Sequence, residues 1–266
     1  MQSLDALPAA VCRALMGVAF DIDDTVTRSG RLELAAFRAM HELVDAGLHL
    51  VAVTGRPLGW VDVIARHWPV AVAVGENGAG WVWRDGPAVR EGYFDDPARR
   101  RDYDDLFARI QERVRRELPH VRLAGDQRAR RCDLAFDVGE TVRLPPHDVT
   151  ALVRAIEAEG ARSSVSSVHA HAIPGEWNKA VGITGAVRDA LALTIADARD
   201  GWLFIGDSGN DAEAFHFFPV SVGVHNVREA LHRLPTPPRY VTQADRGRGF
   251  AEMASHVLRA AERGRR

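Results

Sequence analysis

Apolar residues along the chain fall into short continuous runs that end at acidic or hydroxyl residues, separated by stretches with helical spacing. The first run, residues 17–20, ends at Asp21 and predicts a buried strand. Residues 32–46 carry Leu34, Phe37 and Leu43 on one helical face and stop at Gly47, which predicts a helix closed by a glycine cap. Residues 48–53 predict a second strand. Pro57 can open the following helix, where its missing N–H is not needed. Residues 70–74 predict a third strand. Strands alternating with helices in this way predict right-handed crossovers and a parallel sheet.

The pattern changes after Trp83. Residues 95–118 predict one long charged helix with an apolar stripe at Tyr103, Phe107, Ile110 and Val114. Strands follow at 121–123 and 132–138, then a helix at 147–158, then one bent strand or two short ones over 162–171. This αββαββ order reads as a separate α+β module inserted into the first domain. The α/β pattern resumes with a helix at 178–191, a strand at 202–205, a helix near 211–217, a strand at 219–224 and a last helix near 250–261. The expected division is a core built from 1–83 and 174–266, with the inserted module at 84–173. The basic tail, 262–266, is given no function.

Composition adds limits. The 266 residues carry a formal net charge of −2, with 46% hydrophobic and 26% charged residues, an ordinary globular balance. A near-neutral chain is not one held to nucleic acid mainly by phosphate contacts. Cys12 and Cys132 make neither a disulfide framework nor a zinc set, and a reducing cytoplasm is the expected compartment. No apolar run approaches the roughly 18 residues of a membrane span. The N-terminus has Asp5 as its one early charge and lacks a basic leader region.

Four segments carry candidate chemistry. Phe20-Asp21-Ile22-Asp23-Asp24-Thr25 places carboxylates past the end of the first strand, the edge where open parallel sheets bind ligands. Asp21 and Asp23 can serve as nucleophile and acid/base, with a hard cation such as Mg²⁺ to offset their repulsion. Alone, the segment reads equally well as an Asp-rich turn. Thr54, in Val53-Thr54-Gly55-Arg56, can donate to a phosphate oxygen or cap a helix. Lys179 can offset phosphate charge or lie on the surface. Asp207 and Asp211, in Gly206-Asp207-Ser208-Gly209-Asn210-Asp211, suit a metal or its surroundings, or a plain acidic turn.

In this order the four motifs resemble the haloacid-dehalogenase-like (HAD) superfamily of phosphotransferases, whose members have a Rossmann-like three-layer α/β core. The inserted module lies between the Thr54 and Lys179 motifs, as in members with a type-two cap, and its αββαββ order resembles the smaller B subtype. That subtype includes sucrose-, trehalose- and mannosylglycerate-phosphate phosphatases and phosphomannomutase. Glu76-Asn77-Gly78-Ala79 is also similar to a segment of that subgroup. Asp24 stands where the family has Gly; Asp tolerates left-handed backbone, so the loop need not break.

The resemblance implies a Mg²⁺-dependent phosphatase. Asp21 would form an aspartyl-phosphate and Asp23 would protonate the leaving alcohol and then activate water. Mg²⁺ would bind the Asp21 carboxylate, the Asp23 backbone carbonyl and Asp207, with Asp211 in or next to that set. Thr54 and Lys179 would hold the phosphoryl oxygens. Gly55, Arg56, Asn77, His169, His171 and Asn210 complete the expected substrate contacts, with a salt bridge as the plain alternative for Arg56.

In the inserted module, Cys132, Leu134 and Phe136 share one strand face. Asp133 and Asp137 share the other, open to sugar hydroxyls or to solvent. Arg128, Arg130 and Arg131 read as a solvated loop or as a site for an anionic second group, and Trp81, Trp83 and Trp177 as buried packing or as rings that stack on a sugar. The expected partner is a small phosphate monoester, a sugar phosphate, with neither nucleic acid nor membrane, for a monomer or homodimer. A phosphomutase and a non-catalytic phosphate-ligand-binding protein are the alternatives.

Overall fold

Alternation inside the apolar runs decides the layers of the core. In the strand Gly17–Asp21, Val18 and Phe20 face one way and Ala19 the other. In His49–Val53, Leu50 and Ala52 oppose Val51 and Val53. In Trp202–Gly206, Leu203 and Ile205 oppose Trp202 and Phe204. Both faces are apolar, so both must be covered, as parallel sheets require. Leu34–Asp45, Leu58–His67 and Arg246–Arg263 cover one face through Met40, Leu43, Val61, Phe250 and Val257. Lys179–Leu191 and Ala212–Phe217 cover the other through Ile183, Val187 and Phe215. Each large apolar side chain so buried contributes about 1.5–3 kcal/mol.

The chain, described by a computed structural model over residues 1–263, is thus a three-layer α/β domain with a smaller module attached. The last three residues of the basic tail lie outside the described range. Among the described residues the main sheet has nine strands. Gln2–Ser3, Tyr240–Val241, Val220–Gly223, Trp202–Gly206, Gly17–Asp21, His49–Val53 and Val72–Gly75 run parallel in that spatial order. Among the described residues no helix is long and apolar enough to cross a membrane.

The sheet continues past the expected domain boundary. Gly80–Asp85 returns antiparallel to Val72–Gly75, and Ala88–Tyr93 pairs antiparallel with it across the two-residue loop Gly86-Pro87. Residues 84–93 therefore belong to the core sheet, and the boundary after residue 83 is corrected to about the end of that hairpin. The tight turn, a known hairpin connection, folds the chain back before it can leave the core.

The module has its own three-stranded antiparallel sheet, ordered Arg162–Val165, His169–Ile173, Leu134–Asp137. Helices Tyr103–Glu117 and Pro146–Ala158 pack on it through Ile110, Val114, Leu152 and Ile156, against Leu134 and Phe136. The 162–171 region resolves into two strands. The 95–118 helix is two helices, Pro97–Arg101 and Tyr103–Glu117, that meet at Asp102. The expected strand at 121–123 is reduced to a single bridge between Leu123 and Phe136, flanked by backbone hydrogen bonds from Ala124 to Ala135 and from Asp137 to Arg122.

Candidate active site

Register carries the motifs to one edge of the sheet. Asp21 lies opposite Val53, so Thr54 follows beside it; Phe20 lies opposite Ile205, so Asp207 emerges on the other side. Lys179 comes from the first turn of its helix, whose N-cap is Asn178. That helix sits low because two glycines touch. A Cβ on Gly182 would lie 2.3 Å from Gly78 Cα, and one on Gly78 would lie 2.2 Å from the Asn178 carbonyl.

The buried Lys179 ammonium donates to Asp21 Oδ1 at 2.5 Å and to Asp211 Oδ1 at 2.6 Å. Asp211 Oδ2 accepts the backbone N–H groups of Asp207 and Ser208, both at 2.9 Å, and so shapes its own loop. Thr25 Oγ1 lies 3.3 Å from Asp21 Oδ2 and 3.4 Å from Asp207 Oδ1 and donates its one proton to either. Asn226 Nδ2 donates to Asp207 Oδ2 at 3.2 Å and to the Asp24 carbonyl at 3.0 Å. Asp24 takes the left-handed backbone its type allows, at φ 57°, and Arg246 Nε donates to its carboxylate at 3.0 Å.

Carboxylate oxygens of Asp21, Asp207 and Asp211 lie within 4.8 Å of one another. Burial, opposed by Lys179, pushes the Asp21 carboxyl up to about 7. Burial and the charges of Asp21 and Asp211 push Asp207 well above the ordinary carboxylate range. Asp21 and Asp211 hold the Lys179 ammonium above its ordinary value against the effect of burial. One lysine thus faces three buried carboxylates. A donor set made only of oxygens with a deficit of positive charge fits a hard divalent cation such as Mg²⁺. Asp21, Asp207 and Asp211 are the carboxylates close enough together to hold it.

The Asp23 side chain stands outside this cluster. Arg56 holds it: Nε donates to Oδ2 at 3.0 Å and Nη2 to Oδ1 at 2.8 Å. The same guanidinium reaches into the module, with Nη1 2.7 Å from Glu140 and 3.3 Å from Asp126. Thr54 Oγ1 accepts the Arg56 backbone N–H at 3.0 Å, which leaves its proton free to donate. Asn210 Nδ2 donates to Asn77 Oδ1 at 3.0 Å, while Asn77 Nδ2 is buried without a partner among the described residues. A Cβ on Gly55 would crowd His171 Nε2 at 3.0 Å and Asn77 Oδ1 at 3.2 Å, so glycine keeps this cradle open.

Asp21, Asp23, Gly55, Arg56, His169, His171 and Asn210 line one narrow cleft of about 10 Å³ between core and module. A neighbouring cavity of about 210 Å³ is lined by Asn77, Asn178, Lys179 and Asn210 from the core and by Arg162, Ser163 and Ser164 from the module. Most of the sequence-predicted residues therefore line two adjoining spaces; Thr54, Asp207 and Asp211 line neither.

Several residues at this site carry roles the sequence did not reveal. Glu76, fully buried, accepts N–H groups from Leu58, Arg131, Cys132 and Asp133, pinning the module's strand to the core. Arg130 is buried rather than solvated. It donates to the Gly55 carbonyl at 2.8 Å and pairs with Asp126 and Asp133. Its spacing from those acids, i−4 and i+3, was the available signal. Asp133 and Asp137 are buried, not a solvated face, and Asp137 closes its own turn onto residues 139–141. Trp81 and Trp177 are buried, and Trp177 Nε1 donates to the Glu76 carbonyl at 3.0 Å.

No protein-family model matches the sequence. Solved structures do share its fold. A Thermoplasma acidophilum protein superposes with a TM-score of 0.69 at 20% identity, over 92% of this chain and 98% of its own. The sucrose-phosphatase of Synechocystis, solved with sucrose and phosphate, gives 0.62 at 16% identity, over 92% and 98%. A HAD-superfamily phosphatase from Bacteroides thetaiotaomicron gives 0.61 at 18% identity, over 92% and 96%. The chain has the fold of HAD-superfamily phosphatases, from end to end of those structures.

Proposed function

We propose that the protein is a Mg²⁺-dependent phosphatase acting on a small phosphorylated metabolite, a sugar phosphate, through an aspartyl-phosphate at Asp21. The observation that carries this reading is the Asp21, Asp207 and Asp211 cluster around buried Lys179, at the carboxyl edge of a parallel sheet. Fold likeness to phosphatases supports the same class.

The Asp21 carboxylate attacks phosphorus, the bond to the leaving oxygen breaks, and that oxygen takes a proton from Asp23. Asp23, now a carboxylate, takes a proton from water, whose oxygen attacks phosphorus and releases Asp21 and inorganic phosphate. Lys179, 2.5 Å from Asp21, favours the ionised nucleophile against burial. Arg56 holds Asp23 in the carboxylate form that activates water and must release one oxygen before Asp23 carries the proton for the leaving group, while the Thr54 proton and Asn77 Nδ2 are donors for phosphoryl oxygens. Bound Mg²⁺ would supply positive charge against the spread negative charge of phosphoryl transfer. The module from about residue 94 to 173 serves as a cap. Its serines and the core asparagines around the larger cavity offer neutral partners suited to sugar hydroxyls. Cys12 and Cys132, both free and buried, accord with a reducing cytoplasmic setting.

Phosphate release from a panel of sugar phosphates, nucleotides and phosphoglycerates, with Mg²⁺ and with chelator, tests the reading. Release should require Mg²⁺, vanish in Asp21→Asn, and fall about 10²–10⁴-fold in Asp23→Asn. Near wild-type turnover in Asp21→Asn would refute the nucleophile. Isomerisation without net release, dependent on a bisphosphate activator, would point instead to a phosphomutase. Binding without release would point to a ligand-binding protein.

A further inference from the structure

Two histidines lie side by side on the cap strand His169–Ile173, with ring centroids 5.8 Å apart. Their hydrogen bonding differs. Arg130 Nη2 donates to His169 Nδ1 at 3.4 Å, so the His169 proton sits on Nε2 and points to Glu140 at 2.9 Å. Both of its nitrogens are engaged. His171 is bound at one end only. Its Nδ1 lies 2.7 Å from Asp133 Oδ2, and a carboxylate only accepts, so Nδ1 is the donor. Burial pushes the Asp133 carboxyl up, but Arg130 and His171 more than offset this and hold it below its ordinary range. Burial, partly opposed by Asp133, holds the His171 imidazole below its ordinary value. At neutral pH its Nε2 therefore presents a lone pair.

That Nε2 is fully buried and has no partner among the described residues. His171 lines the cleft that also contains Asp21 and Asp23, and its Nε2 faces Gly55. A buried acceptor with no donor is costly, and such a group in a binding cleft points to a ligand that supplies the donor. A phosphate dianion cannot supply one, because its oxygens only accept. A hydroxyl close to the reacting phosphorus can.

We propose, resting on the phosphatase reading above, that the Asp133–His171 pair determines specificity: His171 Nε2 accepts a hydrogen bond from a leaving-group hydroxyl next to the phosphorylated carbon, and so selects polyol phosphates. His169 takes no such part, since both its nitrogens are occupied.

Two esters that differ by one hydroxyl test this: 2-hydroxypropyl phosphate and n-propyl phosphate, each assayed with Mg²⁺ for kcat/KM. The wild type should favour the hydroxylated ester about ten-fold or more. His171→Asn keeps a donor for Asp133 and removes the acceptor, so the ratio should fall to about one. His171→Gln returns an oxygen close to the Nε2 position and should keep part of the ratio. The wild-type ratio tests the idea even where His171→Asn does not fold. A wild-type ratio near one, or an unchanged ratio in His171→Asn, overturns the role of His171 and leaves the phosphatase reading standing. Release from p-nitrophenyl phosphate with neither aliphatic ester turned over does the same. No release from any of the three removes the phosphatase reading, and this inference with it.

Discussion

At the scale of single residues, the site holds charge that folding alone would not choose. Asp207 is buried beside Asp21 and Asp211, and its carboxyl is pushed well above its ordinary range by that burial and those neighbours. A carboxyl whose folded pKa is raised destabilises the fold wherever the unfolded chain would ionise it, above about 3.9, and contributes nothing below that. Asp207→Asn removes the charge at nearly constant shape. In metal-free buffer the variant should unfold at higher urea than the wild type at pH 7 to 8, with the gain vanishing below about pH 4. Adding Mg²⁺ should raise the wild-type midpoint and leave that of the variant where it was. A variant less stable than the metal-free wild type at pH 8 would mean that the Asn226 and Thr25 hydrogen bonds outweigh the repulsion.

At the scale of elements, the position of Lys179 depends on a contact between two glycines. Gly→Ala in a helix interior ordinarily stabilises by about 1 kcal/mol. At Gly182 the sign should reverse, because the new methyl would stand 2.3 Å from Gly78 Cα and force the helix off the 76–78 turn. Gly182→Ala should cost about 1–3 kcal/mol in urea unfolding and depress phosphate release, as Lys179 and Asn178 move together. The core strands were legible because both of their faces are buried, which leaves short apolar runs bounded by motif residues. Asp21, Thr54, Lys179 and Asp207 were legible because each follows a strand or opens a helix. The hairpin at 80–93 was not, since its outer strand carries Arg90 and Glu91 on an exposed edge and resembles a linker. Arg130 was not, since three arginines in four residues look solvated until the acids around them are placed in space. Nor could sequence separate His169 from His171: they alternate identically on one strand, and only Arg130, Glu140 and Asp133, brought in from other segments, leave one ring with a free nitrogen.

At the scale of the whole molecule, core and cap are tied in two different ways. Glu76 binds the backbone of residues 131–133 where the chain enters the cap strand, a buried contact suited to a pivot. Across the mouth of the cleft the ties are charged side chains. Arg56 joins Asp23 to Glu140 and Asp126, and Arg130 reaches back to the Gly55 carbonyl. The cleft between these ties measures about 10 Å³, so a phosphate ester can enter only when the mouth widens. Glu140 is the weakest link, with its side chain 31% exposed. An ion pair open to water to that extent contributes about 1 kcal/mol or less to global stability. Local opening is a separate equilibrium and responds to such a pair directly. Glu140→Ala should therefore leave the urea midpoint nearly unchanged, while amide exchange rises at residues 166–171 and at Gly55 and Arg56. Raising salt should move the wild type toward the variant, because screening acts on the same partly exposed pair. Exchange that rises evenly over the cap helices as well would mean that Glu140 supports the cap's own fold. Exchange unchanged in both segments would mean that the Glu76, Arg56–Asp126 and Arg130–Gly55 contacts hold the cap closed without Glu140.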